Sequence, residues 1–479
     1  MEDAPTVSKE RNERWKQLLS GQRLGSRYPP RVNEERTEYD IDYDRIVFSS
    51  AFRRLHDKTQ VFPLSTSDYT RTRLTHSIEA SCVGRTLGQL AGKALNRQGV
   101  EVEPAHLGTI VAAACLAHDI GNPPFGHSGE AAIQHWAEQK LPAWPPKPSG
   151  PPSFFASEAE WQDLMRFEGN AQGFRILNRL QARERKGGMR YTVATLGAMS
   201  KYPSPSVIPG RARDKQFISE KKFGYFQDDA ELAREAFKEL ALAERAPGSF
   251  ARHPLAFLVE AADDICYTVI DLEDSAMLGL IPMDTACSLL EGLARMKESG
   301  PSAQEPPPEG PQTELQSESR LGVLRSGAIG VLIQECVAVF SETVQEMEQG
   351  RWEKSLVSVR ESMSSRVDAI RNITREKGYQ SERVLQIESA GFKTLGGLLD
   401  MFASSIVTDA PNKEEKKLRQ LLPLEFLQRP GGHELDRNKA ISNLTPYQRL
   451  LCVTDYISGM TDGFAVELYQ RLSGIKLPA

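Results

Sequence analysis

Apolar residues recur at spacings of three and four along Ser77 to Ala94, Asn170 to Ala182, Asp229 to Glu244, Pro254 to Asp271 and Gly327 to Gln349. That period is the mark of a helix laying one face on a core. Alternating runs of the strand kind are scarce, and Met189 to Leu196 is the best candidate. The expectation is an all-α fold with short β elements at most. A chain of 479 residues can bury a large core, as one domain with insertions or as several smaller ones. Two stretches break the helical pattern: Leu141 to Phe154, rich in Pro, and Glu298 to Glu318, rich in Pro, Ser, Glu and Gln. Neither can bury enough apolar surface to offset chain entropy, so both are expected to be exposed inserts. There is no internal repeat.

Charge and cysteine usage exclude several classes. Acidic residues outnumber basic ones by 64 to 59, for a net charge of -5, so bulk charge does not point to a nucleic-acid protein. The six cysteines are scattered and form no CxxC pair, as expected of reduced thiols rather than a disulfide framework or a zinc ribbon. The amino terminus is acidic without an apolar h-region, and runs such as Ile110 to Ala117 are too short to cross a bilayer. A soluble, cytoplasmic protein with no membrane partner is expected.

The chemistry concentrates in His118-Asp119-Ile120-Gly121-Asn122-Pro123-Pro124-Phe125-Gly126-His127-Ser128-Gly129-Glu130. An apolar run delivers an adjacent His and Asp, then a Gly/Pro turn, then a second His with a Glu three residues on. His76 stands just ahead of an amphipathic helix, and Asp263, Tyr267 and Asp271 share one face of another. Carboxylates on an otherwise apolar helix are costly to bury unless a metal or a hydrogen-bond partner compensates. Two imidazoles and two carboxylates make a mixed N/O site suited to Mn, Fe, Co, Ni or Zn, with Mg when phosphate oxygens complete the shell. Either Asp263 or its neighbour Asp264 could supply the distal carboxylate.

The ordered set of His, then HD, then a distal Asp resembles the HD-domain phosphohydrolases. Longer blocks narrow the resemblance to the deoxyguanosinetriphosphate triphosphohydrolases: Phe52 to Leu64, Arg71 to Ser77, His118 to Ile133, Phe167 to Gly173, Glu260 to Asp274 and Asp455 to Asp462. The resemblance implies an HD-domain helical core with additional helices, and metal ligands at His76, His118, Asp119 and Asp263. Asp263 is preferred because the family places a sugar-facing Tyr four residues after the ligand and a sugar-binding Asp eight after it, the register of Tyr267 and Asp271. It also implies a divalent ion, Mg2+ or Mn2+ first and Fe, Co, Ni or Zn as alternatives. The implied organisation is an extension over 1-40, a catalytic core over 41-295 with a flexible insert near 141-160, a low-complexity loop over 296-320, and a helical region over 321-479 that completes the site and the oligomer contacts.

The implied reaction is hydrolysis of dGTP, or of other dNTPs, to deoxynucleoside and inorganic triphosphate. His127 would act as general acid, oriented by Glu130. Arg73, Lys201, Lys222 and Asn170 would meet the triphosphate, with Lys221 a register hazard beside Lys222. Tyr267 against C2′ would leave no room for a 2′-hydroxyl, and Asp271 would accept from the 3′-hydroxyl. Gln60 and Val61 match positions that touch guanine, although an amide pairs with several bases, so a broad dNTPase activated by a dNTP effector stands as an alternative. Another HD-type nucleotide phosphohydrolase is a second one; the HDxxED pattern of guanosine tetraphosphate hydrolases is not present. The resemblance further implies a homo-oligomer, hexamer or tetramer, and single-stranded DNA or a dNTP as effector. Basic stretches such as Arg211 to Lys222 and Lys413 to Arg419 are the sequence features open to it.

Overall fold

The computed structural model describes residues 4–30, 35–61, 71–142, 154–297, 314–428, 432 and 434–476. Among them the architecture is helical, with one small antiparallel sheet pairing Glu244–Ala246 with Ser249–Phe250. Two helices form its centre. Arg73–Arg97 opens with a capping box at Thr72, a motif worth roughly 1 kcal/mol. Pro104–Ala117 carries Pro at its first turn and is buried from Ile110 to Ala117. These helices approach closely because Gly88 faces the Leu107 carbonyl, 2.6 Å from where a Cβ would sit. The Pro254–Met277 helix packs on both.

Apolar side chains gather in two cores. The first takes in Leu87, Val111, Leu116, Ala262 and Ile265, with Trp15 and Leu18 of the Ala4–Leu18 helix fully buried in it. The first forty residues, expected as an extension, thus contribute to this core. Trp15 Nε1 also donates to Glu348 at 2.7 Å. The second core joins Ile133, Trp136 and Ala137 of the Gly126–Lys140 helix to Leu395, Phe402, Leu451 and Ile457 of the carboxy-terminal helices.

Three expectations are corrected. Met189 to Leu196 is not a strand: Thr192 caps a helix over Val193–Met199, accepting from Thr195 N, while the buried Asp42 carboxylate accepts from Thr192 N and Oγ1. The 296-320 segment is not all loop. Residues 298–313 lie outside the described residues, but the chain is helical from Glu314, in the Glu314–Glu348 helix. That helix, over Gln316–Glu348, is long and apolar enough by length and composition to cross a membrane. Scattered charges such as Arg325 and Glu335 hid the run in the sequence. In this structure it packs on the Pro254–Met277 and Met283–Ala294 helices with Leu332, Val339 and Phe340 buried. Of the insert near 141-160, 143–153 lie outside the described residues, and the Glu158–Met165 helix starts within the rest.

Candidate active site

His76 on the 73–97 helix, His118 at the end of the 104–117 helix and Asp263 on the 254–277 helix converge. One ligand atom from each lies within 4.8 Å of the others. His76 Nε2 is 3.2 Å from Asp263 Oδ1, and His118 Nε2 is 3.5 Å from that oxygen and 3.5 Å from Asp119 Oδ1. His118 Nδ1 donates to the Cys115 carbonyl at 2.6 Å, which leaves the lone pair on Nε2. That nitrogen is buried and has no hydrogen-bond partner. An orphaned imidazole nitrogen facing two carboxylates is the donor set that a divalent cation satisfies. Asp264 points elsewhere, accepting from Ser355 at 3.0 Å and pairing with Arg371 at 2.9 Å.

The HD pair runs into a tight turn whose glycines are required by close approach. A Cβ at Gly121 would meet the Gly169 carbonyl at 2.0 Å, and Gly126, at φ +58, would press one against Arg73 Nη2 at 2.4 Å. Phe125 itself is left-handed, at φ 62, and starts the 126–140 helix. His127 therefore projects into the cavity with its side chain 79% exposed, while its Nδ1 lies 2.8 Å from Glu130 Oε2. Burial alone would raise the Glu130 pKa. The His127 hydrogen bond and Lys222 outweigh it and hold the carboxylate ionised, so the buried anion orients an otherwise solvated imidazole.

His76 and Glu130 stand behind the wall of a cavity of about 510 Å³, and the other twelve predicted residues line it: Gln60, Val61, Arg73, His118, Asp119, His127, Asn170, Lys201, Lys222, Asp263, Tyr267 and Asp271. Lys222 lines it and Lys221 is exposed outside. The cations are not free. Arg73 pairs with Asp119 at 2.7 Å, Lys201 with Asp263 at 2.5 Å and Lys222 with Glu168 at 2.9 Å. Arg73 and Lys201 sit on the carboxylates that a metal ion would engage, so a cation there would compete for the same anions and release both side chains toward phosphate. Asn170 donates to Glu168 at 2.8 Å.

The structure adds residues that periodicity could not find. Tyr379, at the end of a π-helical turn over Thr374–Tyr379, donates to Asp271 Oδ2 at 2.6 Å and packs on Tyr267 with ring centroids 5.9 Å apart. Asp271 Oδ1 is buried without a partner, and burial pushes the carboxyl up to about 7 despite the tyrosine. Val384 and Glu388 of the Glu382–Val407 helix also line the cavity. They are one helical turn apart, a spacing shared by countless surface pairs.

The Phosphohydrolase-associated domain model matches residues 357–471, the stretch that carries Tyr379, Val384 and Glu388. A deoxyguanosinetriphosphate triphosphohydrolase-like protein of Synechocystis sp. is 41% identical over 97% of this chain and 100% of its own length. The chain belongs to the deoxyguanosinetriphosphate triphosphohydrolase family. A triphosphohydrolase-like member from Pseudomonas aeruginosa is 37% identical, again over 97% of this chain and 100% of its own. A deoxyguanosinetriphosphate triphosphohydrolase of Salmonella arizonae is 31% identical over 91% of this chain and 94% of its own. Membership makes the protein a hydrolase, and the HD-type triphosphohydrolase family accounts for the cluster and cavity occurring together.

Proposed function

We propose that the protein hydrolyses deoxynucleoside triphosphates, dGTP first, to deoxynucleoside and inorganic triphosphate in a metal-dependent reaction. One observation carries the reading: a single cavity joins the His76–His118–Asp263 cluster to Arg73, Lys201 and Lys222 and to the Tyr267–Asp271–Tyr379 group. His76, His118, Asp119 and Asp263 would hold the ion. When bound there, a divalent cation supplies Lewis-acid polarisation of the α-phosphate and of the attacking water.

The chain's own residues do the rest. Arg73, Lys201 and Lys222 bind and orient the triphosphate. His127, oriented by its contact with Glu130, delivers a proton to the departing 5′ oxygen as the bond to the α-phosphorus breaks. Tyr267 closes the space around C2′, and the unpartnered Asp271 oxygen accepts from the 3′-hydroxyl, which together select deoxyribose. Gln60, whose Oε1 is buried without a partner, and the Glu388 carboxylate offer acceptors to the N–H groups of guanine.

Product chromatography after incubation of Mg2+- or Mn2+-loaded protein with each dNTP and with GTP tests the reading, run with and without single-stranded DNA or a second dNTP. Deoxyguanosine with intact triphosphate is expected from dGTP, and GTP is expected to be spared. Release of phosphate or pyrophosphate would relocate the scissile bond and overturn the mechanism. His118→Ala and Asp263→Ala should lose bound metal and turnover together. His127→Ala should keep its metal and lose at least a hundredfold in kcat, and wild-type metal content in Asp263→Ala would remove that residue from the ligand set.

A further inference from the structure

Lys58 and Asp462 lie outside the cavity, yet they touch two of the segments that line it, 59–61 and 122–127. Lys58 is 2% exposed. Its ammonium donates to the Asn122 carbonyl at 2.5 Å and to the Ser458 carbonyl at 2.8 Å. Burial pushes its pKa down to about 7, a sign of how much solvation the ammonium has given up. An apolar side chain of the same length would avoid that cost but could not join two carbonyls on separate elements.

Asp462, the first residue of the Asp462–Leu472 helix, completes the link. Its Oδ2 accepts from Thr59 N at 3.0 Å and from Thr59 Oγ1 at 2.5 Å, and its Oδ1 accepts from Phe125 N at 3.0 Å. Thr59 adjoins Gln60 and Val61, which line the cavity, and pairs as an isolated bridge with Thr72, the cap of the His76 helix. Phe125 holds the left-handed backbone that aims His127. Asn122, besides receiving Lys58, donates to the Asp119 carboxylate at 2.6 Å. Thr59 and Asp462 are 403 residues apart in sequence, so no local structure sets their distance.

We propose that Lys58 and Asp462 are positioning residues that hold the 59–61 segment, the 122–127 turn and the carboxy-terminal helices in one register, so that nucleobase contact and the His127 acid are aligned by the same brace. The catalytic half of the claim rests on the triphosphohydrolase reading; the mechanical half does not. Hydrogen exchange separates them. In Lys58→Met, which leaves all three bonds to Asp462 chemically intact, the Thr59 and Phe125 amides should both exchange at least tenfold faster while the 104–117 helix keeps its wild-type protection. Acceleration of only one of the two amides, or of neither, would overturn the brace.

In steady state with dGTP, Lys58→Met and Asp462→Asn should each raise KM about fivefold and lower kcat at least tenfold at unchanged metal content. A lower kcat with wild-type KM would break the proposed tie to the base segment. Asp462→Asn retains size and loses one acceptor, which keeps the test available if the lysine variant does not fold. A wild-type protein inert toward every dNTP would sink the triphosphohydrolase reading while the exchange result still decided the brace.

Discussion

At Gly126 the backbone, a cation and the His127 imidazole meet. Its φ of +58 and the 2.4 Å between a notional Cβ and Arg73 Nη2 leave no room for a side chain, and Arg73 cannot yield freely because it is buried and paired with Asp119. Gly126→Ala is expected to cost about 1 kcal/mol or more of stability from the backbone strain and to lower kcat at least tenfold by displacing Arg73. Urea melts and dGTP turnover check both. Tyr379 offers a gentler probe. Tyr379→Phe removes the hydrogen bond to Asp271 and keeps the ring against Tyr267, so the preference for dGTP over GTP should largely survive while KM for dGTP changes severalfold. A loss of sugar discrimination instead would move the steric role from Tyr267 to Tyr379.

At the scale of an element, the 254–277 helix shows how Asp263 is held in place from the far end of its helix. Its cap is His253, whose Nδ1 accepts from Leu255 N at 3.1 Å, so that Nε2–H must be the group 2.9 Å from the Leu18 carbonyl. Only the neutral ring can do both, and burial pushes its pKa down to about 4 although the carbonyl opposes the shift. Between pH 6.5 and 4 the unfolded chain binds a proton there and the folded one does not, so stability is lost as pH falls through that window. The loss is roughly 3 kcal/mol when complete. His253→Asn, which can still accept from Leu255, should flatten this part of the pH dependence of the urea midpoint; an unchanged slope would assign it to other groups.

At the scale of the molecule, the His76–His118–Asp263 cluster and His127 ride on different cores. His76, His118 and Asp263 belong to helices of the first core, whereas the helix of His127 packs on the carboxy-terminal core through Ile133, Trp136 and Ala137. Their alignment depends on what joins the cores. Arg175 is one such joint, buried between Asp455 at 2.8 Å, Asp228 at 3.0 Å and Asp229 at 3.1 Å. Removing one partner of a buried ion network strands the others. Arg175→Met should therefore destabilise by about 3–5 kcal/mol, read from the urea midpoint, whereas breaking an exposed pair such as Lys16–Glu13 should leave that midpoint unmoved.

What the sequence determined by itself was local. Helical period and the sequence of ligand types around His118–Asp119 depend on neighbours three or four residues away, and they were legible. The preference for Asp263 over Asp264 came from the register that the family resemblance implies; the residues alone left both open, although consecutive helical residues diverge by about 100° and only one of the two can meet the imidazoles. Met189 to Leu196 was misread because a strand-like run of eight residues carries no record of the distant Asp42 carboxylate that anchors Thr192, the cap of the helix. Only the tertiary structure decided that Arg73, Lys201 and Lys222 face carboxylates, that Tyr379 and Glu388 enter the cavity, and that Lys58 and Asp462 lock it. Those pairings join residues up to 403 positions apart; their distances follow from how two cores pack together, and no spacing along the chain encodes that.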